Sequence, residues 1–204
     1  MRSAAAAVII LVRHGQTTTN AAKLLVGRSD PDLTELGSRQ ALALRPYLAG
    51  VEQVWTSSLQ RARATAALAV PDIEATVNDA FIEVDYGVLD GHPIAGVTGA
   101  QWRAFESDHR VALGDGESLA SVDQRVQSQL DALLDDPASL LHEHERHLAI
   151  FSHVSPIKSA MTWALGVPGS VAWRMRLDNG SITTITMRQS LPALLHFNMV
   201  PLPA

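Results

Sequence analysis

The chain has 204 residues, a formal charge of −5 from 16 Lys and Arg against 21 Asp and Glu, and no cysteine. This length corresponds to a single domain, residues 1–204, which is large enough to bury a core without a disulfide or metal staple. Without cysteine, disulfide frameworks, thiolate metal sites and cysteine nucleophiles are excluded. The mild acidity, with no long basic run, argues against a nucleic-acid partner.

The predicted elements alternate between strands and helices along most of the chain. Apolar runs and helical spacing of apolar residues predict, in chain order, a strand at 7–13, a helix at 35–49, a strand at 51–56, a helix ending near 70, a short strand at 73–77, helices at 101–108 and 118–135, a strand at 148–152, a helix at 155–165, and strands at 181–187 and 193–197. Thr34 is predicted to cap the first helix, and Ser57 or Ser58 the second. This alternation predicts an α/β fold, a three-layer α/β/α sandwich around a mostly parallel sheet.

The N-terminal apolar stretch has two interpretations. Arg2 followed by apolar residues 4–12 resembles the start of a secretory signal, but the run continues directly into Arg13-His14-Gly15 without a small-residue cleavage site. A buried first strand is the favoured interpretation, and we expect a cytoplasmic protein. No apolar segment reaches the ~18–20 residues that span a bilayer, so no membrane partner is expected.

Polar residues follow three of the predicted strands. Arg13-His14 follows the first strand, residues 57–61 follow the second, and His153 follows the strand at 148–152. Ligands of open α/β sheets bind beyond the carboxyl ends of the strands. We therefore expect these residues to meet in one pocket.

The segment Arg13-His14-Gly15-Gln16-Thr17 has the residue types of an anion site. Gly15 permits a sharp turn and a close approach to a ligand, and the loop N–H groups would suit an anion. Arg13 offers a planar fork that matches phosphate, and a neutral His14 with one free ring nitrogen is a potential nucleophile. The alternative is that His14 only ends the strand while Arg13 makes a surface ion pair.

The other two strand exits are each open to two interpretations. The helix that follows residues 57–58 would point free N–H groups at the strand exit. Arg61 and Arg63 are two positions apart and cannot face the same way on a helix, so one would face the pocket while the other is solvated. His153 is either a pocket residue or a core histidine that is satisfied by a backbone carbonyl.

Taken together, these motifs closely resemble the histidine phosphatase superfamily, in its phosphoglycerate mutase-like branch. The resemblance covers about residues 8–185, and the ordered set is far more specific than any one motif. The motifs are Leu-Val-Arg13-His14-Gly15-Gln16-Thr17 with Asn20, Asp32-Leu33-Thr34 with Gly37 and Gln40-Ala41, Ser58-Leu59 with Arg61-Ala62 and Thr65-Ala66, Glu83 with Gly87 and Gly91, and Ser152-His153 with Pro156-Ile157.

The resemblance implies a role for each of five residues. His14 would be the nucleophile that becomes phosphorylated, Arg13, Arg61 and His153 would surround the phosphoryl group, and Glu83 would be the proton donor. Such a site requires neither a metal nor another cofactor, and its partner is a small phosphorylated substrate.

The proton donor has a competitor two residues along the chain. If the segment is extended, Asp85 lies on the same face as Glu83, so strand geometry does not separate them. The spacing to Gly87 and Gly91 resembles the family pattern and favours Glu83.

Four further residues are candidate substrate contacts by the same matching: Gln16, Thr17, Asn20 and Val154. The first three are short polar residues of a loop, which often only form turns. Val154 stands where many relatives have glycine. Since valine resists positive φ, the loop there is expected to be tighter or its contacts altered.

Hydrolysis is favoured over isomerisation of phosphoglycerate. The mutases of this family resemble one another in a longer excursion after the acid, with paired arginines and a lysine for the substrate carboxylate. Between residues 83 and 116 this chain offers only Arg103 and Arg110. This glycine-rich stretch is long enough to be a functional loop and is expected to determine substrate specificity.

Three remaining features are assigned to structure. His142, His144 and His147 do not share one helical face, so a solvated charged turn is favoured over a metal site. The tryptophans at 102, 163 and 173 are interpreted as core or pocket-wall residues. The apolar C-terminal stretch, residues 191–204, is compatible with a homodimer interface or with packing on its own sheet.

Overall fold

A computed structural model describes residues 7–139, 141, 146–188 and 191–203. Within these ranges six strands form one sheet: β1 Val8–Arg13, β2 Val51–Thr56, β3 Thr76–Val77, β4 His147–Ser152, β5 Ile182–Arg188 and β6 Leu191–Met199. Their order is β3-β2-β4-β1-β5-β6, with parallel pairing from β3 to β1 and antiparallel pairing from β1 to β6. The predicted α/β fold with a mostly parallel sheet is confirmed, and the antiparallel part lies at one edge.

Six α-helices accompany the sheet in the described residues: α1 Thr18–Ala21, α2 Glu35–Ala43, α3 Gln60–Ala69, α4 Gly99–Ser107, α5 Leu119–Asp135 and α6 Val154–Leu165. Short 3₁₀ turns lie at Arg45–Tyr47, Asp79–Phe81, Gly87–Leu89, Ile94–Gly96 and Gly169–Arg174. Thr34 caps α2 as predicted, accepting a hydrogen bond from the Gly37 N–H. The α2 helix ends at Ala43 rather than near 49, because Pro46 follows and cannot continue the hydrogen-bond ladder.

The predicted cap of α3 is wrong. Neither Ser57 nor Ser58 caps the helix, which begins at Gln60 after an extended Leu59. The Asp30 carboxylate takes the cap position from a distant loop, accepting from the Gln60 N–H at 2.7 Å and the Arg61 N–H at 3.4 Å. Periodicity along one helix cannot reveal a cap that comes from another part of the chain.

The two faces of the sheet bury separate apolar clusters. In β1, Ile9 and Leu11 face the cluster under α5 and α6, while Ile10 and Val12 face the cluster under α2 and α3. Each such fully buried side chain contributes on the order of 1.5–3 kcal/mol of transfer free energy. Burial on both faces explains why β1 is apolar at consecutive positions. The same burial holds the C-terminal end of β1 between two layers of helices.

The excursion between β3 and α5 is closed by contact between glycines. A Cβ on Gly87, which has a φ of +51°, would lie 2.0 Å from the carbonyl oxygen of Gly114. Only glycine can be accommodated at this close contact. The contact holds the excursion over a third apolar cluster, which consists of Leu25, Val97, Phe105 and Leu113.

Two sequence-based predictions fall partly outside the described residues. His142 and His144 lie there, as do residues 1–6 of the N-terminal stretch. Within the described ranges, no helix has the length and apolar character needed to cross a membrane.

Candidate active site

The carboxyl ends of β1 and β4 bring two histidines together. Arg13 pairs with Ser152 across these neighbouring parallel strands, and the His14 N–H continues the ladder by donating to the Ser152 carbonyl. The rings of His14 and His153 lie with their centroids 5.1 Å apart. Both residues are buried, at 3% and 0% exposure, so the predicted meeting of distant strand exits is present in the fold.

The ring of His14 is held in one tautomer. Its Nδ1 lies 2.8 Å from the carbonyl oxygen of Gly15, which can only accept, so Nδ1 carries the proton and Nε2 keeps its lone pair. Burial, together with the positive charges of Arg61 and Arg13, lowers the pKa of His14 well below the usual value. The ring is therefore neutral at physiological pH, as a nitrogen nucleophile must be.

The ring of His153 is oriented by a serine. Its Nε2 lies 2.7 Å from the Oγ of Ser57, which is itself fully buried. Its Nδ1 is buried and has no hydrogen-bond partner among the described residues. The expected alternative, a core histidine bound to a backbone carbonyl, is not what the structure shows. An unpaired buried ring nitrogen is costly, and it indicates that the pocket accommodates another polar group.

Two buried guanidinium groups are anchored on backbone carbonyls. Arg13 donates from Nη1 to Leu177 at 2.6 Å, and Arg61 donates from Nη1 and Nη2 to Ser29 and Gly27 at 2.7 and 2.8 Å. The Nε of each has no partner among the described residues. Burial lowers the pKa of Arg13 to about 10, so it remains charged at neutral pH. Arg61 is fully buried whereas Arg63 is exposed, as the helical spacing predicted for this pair.

The carboxylate of Glu83 is held at the N-terminus of α6. Oε2 accepts from the Val154 N–H at 3.0 Å, and Oε1 accepts from Val84 and Ser155 at 2.9 and 3.1 Å. Asp85 instead accepts from the Gly87 N–H at 2.7 Å and faces a surface groove. The segment is not a strand, so the two carboxylates are not on one face, and only Glu83, 5% exposed, lies with the buried histidines and arginines.

The expectation that backbone N–H groups form the anion site is wrong. The N–H groups of His14, Gly15, Gln16 and Thr17 all donate within the protein, to Ser152 O, Thr65 Oγ1, Gln40 Oε1 and Asn20 Oδ1 respectively. Gly15 approaches another backbone rather than a ligand, since a Cβ there would lie 2.3 Å from the Gly37 oxygen. The helix N-termini of α3 and α6 are likewise occupied by Asp30 and Glu83. The positive field of this site therefore comes from side chains.

The sequence model of the histidine phosphatase superfamily (branch 1) matches residues 9–200. The chain belongs to this superfamily.

Relatives of this chain carry both phosphatase and mutase names. A probable phosphoglycerate mutase of Yersinia pestis is 32% identical over 190 residues, which cover 89% of this chain and 86% of the relative. The phosphoserine phosphatase of Entamoeba histolytica, solved with 3-phosphoglyceric acid, superposes with a TM-score of 0.83 at 27% identity, covering 95% and 98% of the two chains. A putative α-ribazole-5′-phosphate phosphatase of Escherichia coli gives a TM-score of 0.80 at 25% identity, covering 97% and 99%.

Three of the predicted substrate contacts have partners within the protein. Thr17 and Asn20 form a reciprocal capping box on α1, and Gln16 accepts through Oε1 from the Thr34 hydroxyl at 3.0 Å. These are turn-forming contacts. A direct contact of Gln16, Thr17 or Asn20 with substrate stays a prediction.

The expected strain at Val154 is absent. Val154 is the first residue of α6, and it is not among the described non-glycine residues with positive φ. Helical backbone accepts valine without a steric penalty. Val154 therefore does not distort the backbone at this position, and its N–H donates to Glu83.

Sequence reasoning placed Ser57 at a strand exit of the predicted pocket without a role there, and it missed Asn179 and Lys158. Ser57 orients His153, and Asn179 donates through Nδ2 to the His14 carbonyl at 3.2 Å and to Asn20 at 3.1 Å. Lys158 is half-buried on α6, and burial lowers its pKa, opposed by the charge of Glu83. Its position one helical turn after Val154 is the signal that could have placed it near the site.

An apolar cavity lies beside the N-terminus of α6, where the N–H groups of Val154 and Ser155 hold Glu83. Its walls are four aromatic side chains, and it is called the aromatic cavity below: Tyr86, Trp102, Phe105 and Trp173. Trp102 and Trp173 are thus pocket-wall residues, while Trp163 packs on the core and donates to Asp131 at 2.7 Å.

Proposed function

We propose that this chain is a metal-independent phosphomonoester phosphatase that forms a phosphohistidine on His14, with a small phosphorylated molecule as substrate. The observation that carries the proposal is the buried pairing of His14 and His153, with ring centroids 5.1 Å apart, beside the guanidiniums of Arg13 and Arg61. A tetrahedral dianion is the ligand that this combination of charge and geometry suits.

The first half of the reaction transfers the phosphoryl group to the enzyme. The Nε2 lone pair of His14 attacks phosphorus in line with the ester oxygen, so the P–N bond forms as the P–O bond breaks. A proton from Glu83 neutralises the departing alkoxide, which leaves as the alcohol. The Nδ1–H bond to Gly15 stabilises the positive charge that develops on the ring.

The second half hydrolyses the phosphohistidine. The Glu83 carboxylate removes a proton from water as its oxygen attacks phosphorus, and the P–N bond breaks to regenerate neutral His14 and release phosphate. Phosphoryl transfer requires mainly positioning and neutralisation of charge on the equatorial oxygens. Two fixed guanidiniums and His153 supply that charge, which is why no metal step is needed.

Phosphoglycerate mutase activity is the alternative that the names of the curated relatives suggest. A mutase would hold the substrate carboxylate with cations and return the phosphoryl group to it. Arg103 is exposed on α4, and Arg110 is exposed and paired with Asp108 at 3.0 Å, so neither lines the aromatic cavity. The cavity lining offers Lys158 in place of a pair of arginines. Incubation with 3-phosphoglycerate separates the two activities: a phosphatase releases inorganic phosphate, and a mutase yields 2-phosphoglycerate.

The decisive variant is His14→Ala, with His92→Ala as the matched control because His92 is exposed. We expect the turnover of 4-nitrophenyl phosphate to fall by at least ~10³-fold in His14→Ala and to be unchanged in the control. Wild-type protein quenched during turnover should carry an acid-labile, alkali-stable phosphate. Its presence also excludes a third hypothesis, that of a silent phosphate-binding module, whereas a smaller loss or no labelled protein would contradict the proposal.

A further inference from the structure

The aromatic cavity shares a wall with the proposed proton donor. Val154 and Ser155 line it, and their N–H groups are the ones that hold the Glu83 carboxylate. Lys158, one turn further along α6, lines the same cavity and interacts electrostatically with Glu83 and Arg13. A group bound in the cavity would therefore lie next to the residue that must protonate the leaving oxygen.

The cavity has the size of one ring. Its volume is about 110 Å³, which is below the roughly 150 Å³ of an apolar cavity that binds benzene, so one flat ring is the largest group that it can receive. Four aromatic side chains form its walls, with Phe105 stacked edge-on against Trp173 at a centroid distance of 5.5 Å. A flat ring fits such walls with little space left over, and a bulkier saturated ring does not.

Three polar atoms on the cavity lining lack partners. Ser159 is 2% exposed, and neither its Oγ nor the Nε2 of His109 nor the Nε1 of Trp173 has a hydrogen-bond partner among the described residues. Unpaired buried donors are costly, so a lining that served only the core would be apolar or internally bonded. The Lys158 ammonium lies over the Trp173 ring at 5.9 Å and makes no ion pair within the described chain.

We infer that the aromatic cavity receives the organic part of the substrate, and that this part is a flat, ring-sized, largely apolar group carrying a hydrogen-bond acceptor. The inference rests on the proposed function, because it takes Glu83 as the donor to the leaving oxygen. The ring stacks within the aromatic walls, and its acceptor pairs with a donor among Trp173, Ser159 and His109. A short acyclic chain with several hydroxyl or carboxylate groups would leave most of them unpaired against the aromatic rings.

The first test compares benzyl phosphate with ethyl phosphate. Both release primary alcohols of similar acidity, so their intrinsic reactivity is matched and the difference reports the cavity. We expect kcat/KM for benzyl phosphate to exceed that for ethyl phosphate by at least ~30-fold, from the apolar area of one ring. Cyclohexylmethyl phosphate should fall below benzyl phosphate. Equal rates for benzyl and ethyl phosphate would overturn the inference.

The second test fills the cavity. Ala172 lines it and is only half-buried, so Ala172→Leu adds volume there without crowding the core. We expect at least ~10-fold loss of kcat/KM for benzyl phosphate and less than ~2-fold change for ethyl phosphate. Ala100→Leu makes the same change on the exposed face of α4 and should alter neither. Equal losses on both substrates in Ala172→Leu would contradict the inference.

The third test concerns the acceptor. Pyridylmethyl phosphates have the size of benzyl phosphate and place one ring nitrogen at three different positions. We expect the best isomer to exceed benzyl phosphate by about 5-fold, the usual value of one net hydrogen bond. Trp173→Phe, Ser159→Ala and His109→Phe each delete one of the three donors, and one of these variants should abolish that advantage. If no isomer is a better substrate than benzyl phosphate, the claim that the bound ring carries a hydrogen-bond acceptor is wrong.

Binding measurements separate failure of this inference from failure of the proposed function. Benzylphosphonate and ethylphosphonate are not hydrolysed, and titration of the wild-type protein with each needs no turnover. Tighter binding of benzylphosphonate, lost in Ala172→Leu, supports the ring site even if no phosphatase activity is found. Equal binding, with phosphatase activity intact, overturns the ring site and leaves the proposed function standing.

Discussion

The phosphate end and the aromatic cavity are built on different parts of the fold. On one side, the phosphate end of the sheet holds Arg13, His14, Arg61 and His153 at strand exits, and each has at least one fixed partner in the described protein. On the other side, the aromatic cavity lies between α4, α5, α6 and the turn Gly169–Arg174. Both regions have buried polar atoms without a partner among the described residues.

This difference separates the chemistry from its selectivity. The phosphate end rests on parallel strands buried on both faces, which position groups rigidly and allow little variation. The cavity lies mainly between the helices α4, α5 and α6, and Tyr86 and the turn Gly169–Arg174 complete its walls. The α6 helix is the shared element, since its first turn binds Glu83 and the same turn lines the cavity.

The largest expected effect concerns Glu83, which lies between the phosphate end and the aromatic cavity. Glu83→Gln keeps the size of the side chain but removes its proton, so kcat for ethyl phosphate should fall by ~10²–10⁴-fold. With 4-nitrophenyl phosphate, whose leaving group needs no proton, the first turnover should slow by less than ~10-fold. Because hydrolysis of the phosphohistidine also needs Glu83, stopped-flow absorbance should show a burst of one equivalent of nitrophenol.

Asp85→Asn is the matched control for this experiment. Asp85 accepts from Gly87 and faces the surface groove, so kcat for ethyl phosphate should change by less than ~2-fold. A large loss of kcat in Asp85→Asn with a small loss in Glu83→Gln would show that Asp85, and not Glu83, is the proton donor.

A second prediction tests the rigidity of the phosphate end. Arg61→Lys cannot bridge the carbonyls of Gly27 and Ser29 as the guanidinium does, so kcat/KM should fall by about 10²-fold. The free energy of unfolding should also fall by ~1–3 kcal/mol from the unpaired carbonyls. Arg63→Lys, two residues along on the exposed face, should leave both quantities unchanged. Urea denaturation and steady-state kinetics on the two variants check this, and equal behaviour would argue against Arg61 as an anchor.

The buried neutral histidines predict how stability depends on pH. Burial and the nearby arginines lower the pKa values of His14 and His153 in the folded state. In the unfolded chain these pKa values are near 6.5, so at mildly acidic pH the unfolded chain binds more protons than the folded chain. The free energy of unfolding therefore has its full value above about pH 6.5. It falls as pH drops below this value, by up to about 1.4 kcal/mol per pH unit for each ring. Urea denaturation between pH 7 and 5 measures the slope.

The control for the pH experiment is a histidine substitution. His14→Gln should reduce the slope by about half, whereas His92→Gln, at an exposed position, should not change it. A wild-type slope near zero between pH 6.5 and 5 would contradict the assignment of neutral buried rings.

The smallest expected effect concerns Val154. Because its backbone is helical, Val154→Gly relieves no strain, and it should cost at most about 1 kcal/mol of helix stability. kcat/KM for ethyl phosphate should stay within ~3-fold of wild type. A gain of 10-fold or more would show that valine does distort the phosphate end, and thermal unfolding with kinetics distinguishes these outcomes.

Predictions from the sequence were best where the signal is local. Strand β2 at Val51–Thr56 and the Thr34 cap are as predicted, because an apolar run and a capping hydroxyl act on adjacent backbone. The cap of α3 was wrong because Asp30 is thirty residues away from Gln60. The loop N–H groups of residues 14–17 were wrong for a similar reason, since their acceptors include the distant side chains of Thr65 and Gln40.

The sequence by itself determined the alternation of strands and helices, the family, and which residues follow the strands that form the site. Only the tertiary structure placed Glu83, and not Asp85, beside the buried histidines, gave His14 and His153 their ring partners, and closed the aromatic cavity around Trp102 and Trp173. The physical reason is distance along the chain. Periodicity and capping depend on neighbours within a few residues, whereas hydrogen-bond partners, burial and cavities depend on segments that meet only after the sheet has formed.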